Sequence, residues 1–373
     1  MTRLDPTRSS VVLLPVLFML ACGSESAATS SETGEGETAA ETGASGSNGA
    51  ADGQDEASSS GSESSGASTS SSESSTSGGD GDGDGDENVI RFVVLGDGGE
   101  GNENQFLVAN ALELVCAERG CEFALYLGDN FYDSGVDSAM DAQFESKFEL
   151  PYADLDFPFY ATMGNHDYGG FIGGVFANEW GKLQYEVEYT SYSDKWVMLD
   201  KWYSFDHKGA RFISIDSARM MFEYEQEEQK AWFSNAALLP GADWNIVFAH
   251  HPYISNGAHG NAGNYEGIPW PDQVSGGDVK DFIEQQMCFN IDLYFTGHDH
   301  NRQWLEPRCG VEFIVSGAAA KVTPFEHRDD NAVFFEDDQK PGFMWVELNG
   351  KTMTGAFYDL DGNLDFERSY TKP

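Results

Sequence analysis

Seven side chains able to ligate a metal fall in five short blocks: Gly96-Asp97-Gly98-Gly99, Gly128-Asp129-Asn130-Phe131-Tyr132, Gly164-Asn165-His166-Asp167, Ala249-His250-His251-Pro252 and Gly297-His298-Asp299-His300. Hard oxygen donors from Asp97, Asp129, Tyr132 and Asn165 suit a charge-dense cation, and the imidazoles of His250, His298 and His300 suit divalent iron, zinc or manganese. Two cations about 3.5–4 Å apart need a ligand that touches both, most easily a carboxylate. Asp129 is the natural bridge, because its own block supplies Tyr132 three residues on. One cation then takes Asp97, Asp129, Tyr132 and one histidine, and the other takes Asp129, Asn165 and two histidines. Alternate residues of an extended segment point the same way, which predicts that His298 and His300 share a face. Singly, each block has a plainer reading: Gly-Asp after a strand is a common turn, and a Gly-Asn-His-Asp turn can carry a surface histidine. All five together argue for a site.

The segments around the blocks are those that would bring them to one sheet edge. Val89–Leu95 and Phe123–Leu127 are nearly continuous hydrophobic runs and read as buried strands, while Asn104–Glu118 has helical spacing. Phe157–Met163 runs into the Asn165 block and Trp244–Ala249 into His250. Trp202–Asp206 and Arg211–Ile215 flank Lys208-Gly209 as a hairpin. Helices are predicted over Glu225–Ala237 and Asp278–Met287, and strands over Ile291–Thr296, Glu312–Ser316, Phe343–Leu348 and Thr352–Tyr358. Strands and helices that alternate early and turn β-rich late imply two packed mixed sheets with helices outside, an α/β (α+β) architecture.

Gly-Asp-x-Gly, Gly-Asp-Asn-Phe-Tyr, Gly-Asn-His-Asp, a histidine before x-Pro and Gly-His-Asp-His, in this order, resemble the calcineurin-type metallophosphoesterases, and most closely the small purple acid phosphatases. The resemblance runs from about Val89 to the C-terminus. It implies a four-layer αββα sandwich and a binuclear centre of Fe(III) with a divalent Fe, Zn or Mn, in which Tyr132 marks the purple, ferric-tyrosinate branch. It also implies a phosphomonoesterase of acid phosphatase type, in which a metal-bound hydroxide attacks a small-molecule or protein phosphate ester. His166, directly after the ligand Asn165, is the expected proton donor to the leaving group, and His259 is similarly placed to a histidine that assists there. His207, His251 and His327 are given no role. Gly98 departs from the animal enzymes, which usually carry an aromatic residue there; the ligands are unaffected, and the shape of the pocket wall is what the change bears on.

The chain has 373 residues and a net charge of −42. Arg3 and Arg8 precede an apolar stretch from Val11 to Ala21, too short to span a membrane and long enough for a signal-peptide core. Met19-Leu20-Ala21-Cys22 resembles a bacterial lipobox, so residues 1–22 are expected to be a signal peptide, with lipid on Cys22 anchoring an exported protein to a membrane. An ordinary cleaved signal peptide is the other reading. Residues 23–87 hold fifteen acids, no base and no aromatic residue. Such a segment buries too little apolar surface to offset its chain entropy and is expected to be a disordered tether to a catalytic domain at 88–373. With those acids and the +1 of residues 1–22 set aside, the domain itself carries −28. That excludes nucleic acid as a partner, because phosphate contacts need Lys and Arg.

If Cys22 carries lipid, Cys116, Cys121, Cys288 and Cys309 remain, and three pairings are open. Local geometry favours Cys116 with Cys121 and Cys288 with Cys309. Phe171, Ile172, Phe176, Trp180, Tyr185, Tyr189 and Tyr192 form an aromatic stretch without clear period, read equally as a lid over the metals or as a small satellite cluster. Two other functions fit the sequence: a nucleotidase or phosphodiesterase of the same superfamily, and a non-catalytic surface metal-binding or adhesion lipoprotein.

Overall fold

Fourteen strands divide equally between two mixed sheets in the computed structural model, which describes residues 88–170 and 177–372. The signal peptide, Cys22, the tether and the stretch Phe171–Phe176 lie outside the described residues. In chain order the strands are β1 (Ile90–Leu95), β2 (Phe123–Tyr126), β3 (Phe159–Ala161), β4 (Trp196–Val197), β5 (Tyr203–His207), β6 (Ala210–Ser214) and β7 (Trp244–Phe248). Then follow β8 (Leu293–Thr296), β9 (Arg302–Arg308), β10 (Val311–Ser316), β11 (Val333–Asp337), β12 (Gly342–Asn349), β13 (Thr352–Asp359) and β14 (Leu364–Thr371). The first sheet runs β14-β13-β12-β1-β2-β3-β4 and the second β11-β9-β10-β8-β7-β6-β5. Strands β1, β2, β3 and β4 are parallel, as are β6, β7, β8 and β10, with antiparallel strands outside them.

The sheets face each other across an aromatic core. Phe92 of β1 stacks on Phe123 of β2 with ring centroids 5.2 Å apart, and Phe212 of β6 meets both edge-on at 5.3 and 5.1 Å. Such offset and edge contacts are the favoured aromatic geometries. On the outer face of the first sheet lies α1 (Glu103–Arg119). Asn102 caps it by accepting from Gln105 N, and Gly120 at φ 81 ends it by donating to Cys116 O. The short helices α2 (Ala142–Phe144) and α3 (Leu183–Tyr189) follow β2 and β3. The outer face of the second sheet, with Ile213, Val247 and Phe313, packs on α4 (Ser217–Met221), the end of α5 (Gln226–Trp232) and α7 (Gly277–Phe282) through Met220, Phe233, Val279 and Phe282, and α6 (Asp272–Ser275) lies against α4 and α7. The layers are α, β, β and α.

The two cystines are Cys116–Cys121 and Cys288–Cys309, as local geometry favours. Of the aromatic stretch, the described residues Trp180, Tyr185 and Tyr189 pack against the main core, with the Tyr189 ring stacked 3.6 Å from Phe144, rather than in a separate satellite cluster. Strands β4, β9, β11 and β14 are additions to the sequence reading. Buried Arg302 on β9 ties the sheets together, donating at 2.7 Å to Asp337 of β11 and at 2.7 Å to Asp365 of β14. Among the described residues no helix is long and apolar enough to cross a membrane.

Candidate metal centre

All five blocks lie just past the C-terminal ends of parallel strands: Asp97 after β1, Asp129 after β2, Asn165 after β3, His250 after β7 and His298 after β8. In open α/β sheets that edge is where ligands bind, because the loops leaving adjacent strands diverge there and leave a crevice. Here two sheets contribute such edges, and Ser316 Oγ at the end of β10 donates to Val94 O across the gap at 2.9 Å. Asp97 (φ 59), Asp129 (φ 50) and His298 (φ 68) adopt the left-handed conformation, which costs about 1–2 kcal/mol for a non-glycine residue. Glycines beside them leave the room: a Cβ on Gly164 would sit 2.1 Å from Asp129 Oδ1, and one on Gly297 2.3 Å from Asp97 Oδ2.

The candidate ligands gather into two sets sharing Asp129. In the first, Tyr132 Oη lies 3.0 Å from Asp97 Oδ1, 2.9 Å from Asp129 Oδ2 and 3.2 Å from His300 Nε2. In the second, His250 Nε2 lies 3.0 Å from Asn165 Oδ1, 3.4 Å from Asp129 Oδ2 and 3.1 Å from His298 Nδ1. The backbone turns at His298, so the two histidines of its block serve different sets, and the extended alternation expected for them is not how they reach the centre.

The donor sets fit cations. Outward hydrogen bonds fix the imidazoles: His250 Nδ1 donates to Leu127 O at 2.9 Å, and His300 Nδ1 meets Thr323 Oγ1 at 3.1 Å, turning each Nε2 inward. Burial first, then the neighbouring histidines, hold His298 well below the usual imidazole pKa, so it is neutral and able to ligate. Burial works against a charged His250, yet Asp129 pulls its pKa up to about 9. Burial would likewise raise Asp129, but His250 and His166 hold that carboxyl well below its usual range. Burial and then the Asp129 and Asp97 charges push the Tyr132 phenol well up, so only an added cation would draw out its phenolate. With one proton at most per contact, the seven inward atoms, with Asp129 Oδ2 common to both sets, remain mainly lone-pair donors, and positive charge is what satisfies them.

His166 and His259 flank these sets in a cleft that also contains Asp129, Asn165, His298 and His300. The His166 backbone N–H donates to Asp129 Oδ1 at 2.9 Å, and its ring Nδ1 meets Asp133 O at 2.9 Å. The His259 ring stacks on His298 with centroids 3.9 Å apart, and its Nδ1 bonds the Glu266 carboxylate. Burial opposes its charged form, but Glu266 and Asp299 outweigh that and raise its pKa.

The sequence reading missed several supporting residues. Buried Asp299 accepts from His259 N at 2.8 Å, and buried Asp167 accepts from Phe131 N at 2.9 Å and Gly164 N at 2.7 Å, fastening the second block to the third. Burial and then Asp129 push Asp167 up to about 8. Both stood in the motifs as the acid beside a histidine, which was the available signal. Glu266, Thr323 and Lys321, whose Nζ lies 3.4 Å from the Tyr132 ring centroid, carried none. Buried His251, given no role, bonds Ser217 Oγ through Nδ1 at 2.8 Å and lines the cleft floor. Gly98 does not shape the cleft: a Cβ there would meet Tyr126 Oη at 2.4 Å and Tyr152 Oη at 2.9 Å, so these tyrosines fill the space.

The family model of the calcineurin-like phosphoesterases matches residues 90–302, and the chain belongs to that family. It is 27% identical over 300 residues to purple acid phosphatase 4 of Arabidopsis thaliana, covering 74% of this chain and 81% of the relative. It is also 27% identical over 305 residues to tartrate-resistant acid phosphatase type 5 of Homo sapiens, covering 74% and 90%. Among solved structures, GAP50, the anchor in the inner membrane complex of Plasmodium, shares the fold with a TM-score of 0.59 and 21% identity, covering 76% of this chain and 89% of that one. Purple acid phosphatase PPD1 from yellow lupin shares it with a TM-score of 0.54 and 17% identity, covering 76% and 54%.

Asp129→Asn removes the one charge common to both sets. The expected outcome is loss of both metals and nearly all phosphoesterase activity, checked by metal analysis and assay; two retained metals with substantial turnover contradict the bridge.

Proposed function

We propose that this protein is a binuclear-metal phosphomonoesterase of acid phosphatase type. The observation that carries the reading is the pair of four-ligand sets sharing Asp129 on the floor of a cleft flanked by His166 and His259. Asp97, Asp129, Tyr132 and His300 would hold Fe(III), and Asp129, Asn165, His250 and His298 a divalent Fe, Zn or Mn, the softer second set suiting the divalent ion. The metals, when bound, supply Lewis acidity toward phosphoryl oxygens and a nucleophile drawn from water near neutral pH.

The protein's own groups do the rest. Asp133 O fixes the His166 ring from Nδ1, leaving Nε2 to give a proton to the leaving oxygen. Glu266 and Asp299 hold His259 from ring and backbone, so that its ring lies against His298 at the phosphoryl end of the cleft. The substrate is a phosphate ester of a small molecule or protein, and the −28 carried by residues 88–373 speaks against nucleic acid. The Arg3 and Arg8 leader and Cys22 support export and lipid anchoring of a bacterial protein at the periplasm or cell surface, with residues 23–87 as tether. Assay with a chromogenic aryl phosphate and its bis-ester tests the reading: the monoester should be the better substrate, and turnover of the bis-ester alone would make the protein a phosphodiesterase.

His166→Asn should keep both metals and lower kcat by roughly 10²–10⁴, as lost general-acid catalysis does. Esters with poor leaving groups should suffer most, and an equal loss for activated and unactivated esters would make His166 a positioning residue. The native protein should be coloured, and Tyr132→Phe should bleach it while retaining some hydrolysis, because Asp97, Asp129 and His300 still hold that ion. A colourless, fully active enzyme with two zinc or manganese ions would reject the iron assignment.

A further inference from the structure

The cleft has a polar floor and an apolar wall. Met221 and Phe222 at the end of α4, Val274 on α6 and Tyr265 line it beside the histidines. Gln273 on α6 donates to Glu223 just after α4, tying the two helices into one surface. Met221 and Tyr265 are 8% and 2% exposed, whereas Phe222 and Val274 are half-buried and so present apolar area to whatever enters. Among the described residues no lysine or arginine lines this cleft. The cations around it pair with carboxylates: Arg328 with Glu326 at 2.6 Å and, at 4.0 Å, with Glu266 of the cleft lining, Lys321 with Glu100 at 2.5 Å, and Lys230 with Glu227 at 2.9 Å. Outside the apolar wall Glu223 and Asp272 are exposed and Asp278 is half-buried, giving that side an acidic rim. Burial first, then Glu223 and Asp272 acting against Lys230, raise the Asp278 carboxyl.

Resting on the phosphomonoesterase reading above, we propose that the substrate is a phosphate monoester whose leaving group is apolar and carries no second anionic group, with Phe222, Val274, Met221 and Tyr265 receiving that group. The metal ligands and two histidines occupy the phosphoryl end. A second phosphate or a carboxylate on the leaving group would lie on the apolar wall, which no lysine or arginine lines, with carboxylates beyond. Desolvating an unpaired charge there is unfavourable, which selects against nucleoside di- and triphosphates and sugar bisphosphates. An alkyl or aryl group gains by covering the same surface.

Three alkyl esters with leaving groups of similar basicity test this without confounding reactivity: ethyl phosphate, n-hexyl phosphate and 5-carboxypentyl phosphate. With the metal-loaded full chain, KM for the hexyl ester should be about tenfold below that for the ethyl ester, in line with hydrophobic-pocket discrimination, and the carboxypentyl ester should lose that gain. Phe222→Ala should shrink the hexyl-to-ethyl ratio in kcat/KM, and Val274→Lys should raise the carboxypentyl ester relative to the hexyl ester. Equal KM for ethyl and hexyl esters, or a carboxypentyl ester as good as hexyl, overturns the proposal. Absence of turnover on every monoester would instead reject the phosphomonoesterase reading. Calorimetric affinities of ethylphosphonate, hexylphosphonate and 6-phosphonohexanoate still decide the wall's preference in that case: tighter hexylphosphonate supports it and equal affinities overturn it.

Discussion

Asp129 has both carboxylate oxygens committed before any ligand arrives. Oδ1 takes the His166 N–H at 2.9 Å, and Oδ2 stands 2.9 Å from the Tyr132 hydroxyl and 3.4 Å from His250 Nε2. Asp97, Asp129 and His300 have ligand atoms within 4.8 Å of one another. Two like charges about 4 Å apart near a protein surface repel by on the order of 4 kcal/mol, so the arrangement persists through what surrounds it and through the positive charge it is built to take. The His250 imidazole, pulled up to about 9, is that demand expressed as a proton. A cation between the same atoms satisfies it better, and on binding releases the proton.

The fold supplies the surroundings. Parallel strands β1, β2 and β3 in one sheet and β7 and β8 in the other end at the same edge, and aromatic packing joins the two sheets behind it. Left-handed backbone at Asp97, Asp129 and His298 is strain placed at the ligands themselves, with Gly164 and Gly297 making room. Asp167 fastens two of the loops and Arg302 fastens the two sheets, so residues that never touch substrate keep the donors in place.

Most of the centre was legible because ligand chemistry is local: each block carries its donors within a few residues of a hydrophobic run that ends there. Strands β1, β2, β7, β8, β10, β12 and β13 were legible for the same reason, being runs of buried apolar residues. Strand β9 was hidden by Arg302 at its start and Pro307 near its end, since a buried arginine makes sense only once Asp337 and Asp365 are brought to it. Strand β14 alternates polar and aromatic residues at the sheet edge with most side chains outward, and the charges masked it. The two histidines of the last block do reach the donor sets, but not by sharing a face, because the turn at His298 sends them to separate sets. Glu266 sits seven residues beyond His259 in a loop, where no periodicity links them; only folding reveals the contact.

The claim that everything else rests on is two cation sites joined at Asp129, and the most direct test is metal stoichiometry in single-set variants. Mass-spectrometric metal analysis of the apoprotein reloaded with iron and zinc should give two ions per chain. His300→Ala and His298→Ala should each give close to one, the first losing the ion held with Tyr132 and the second the ion held with Asn165. A native protein that saturates with a single ion, or a His300→Ala or His298→Ala variant that still holds two, would contradict the account.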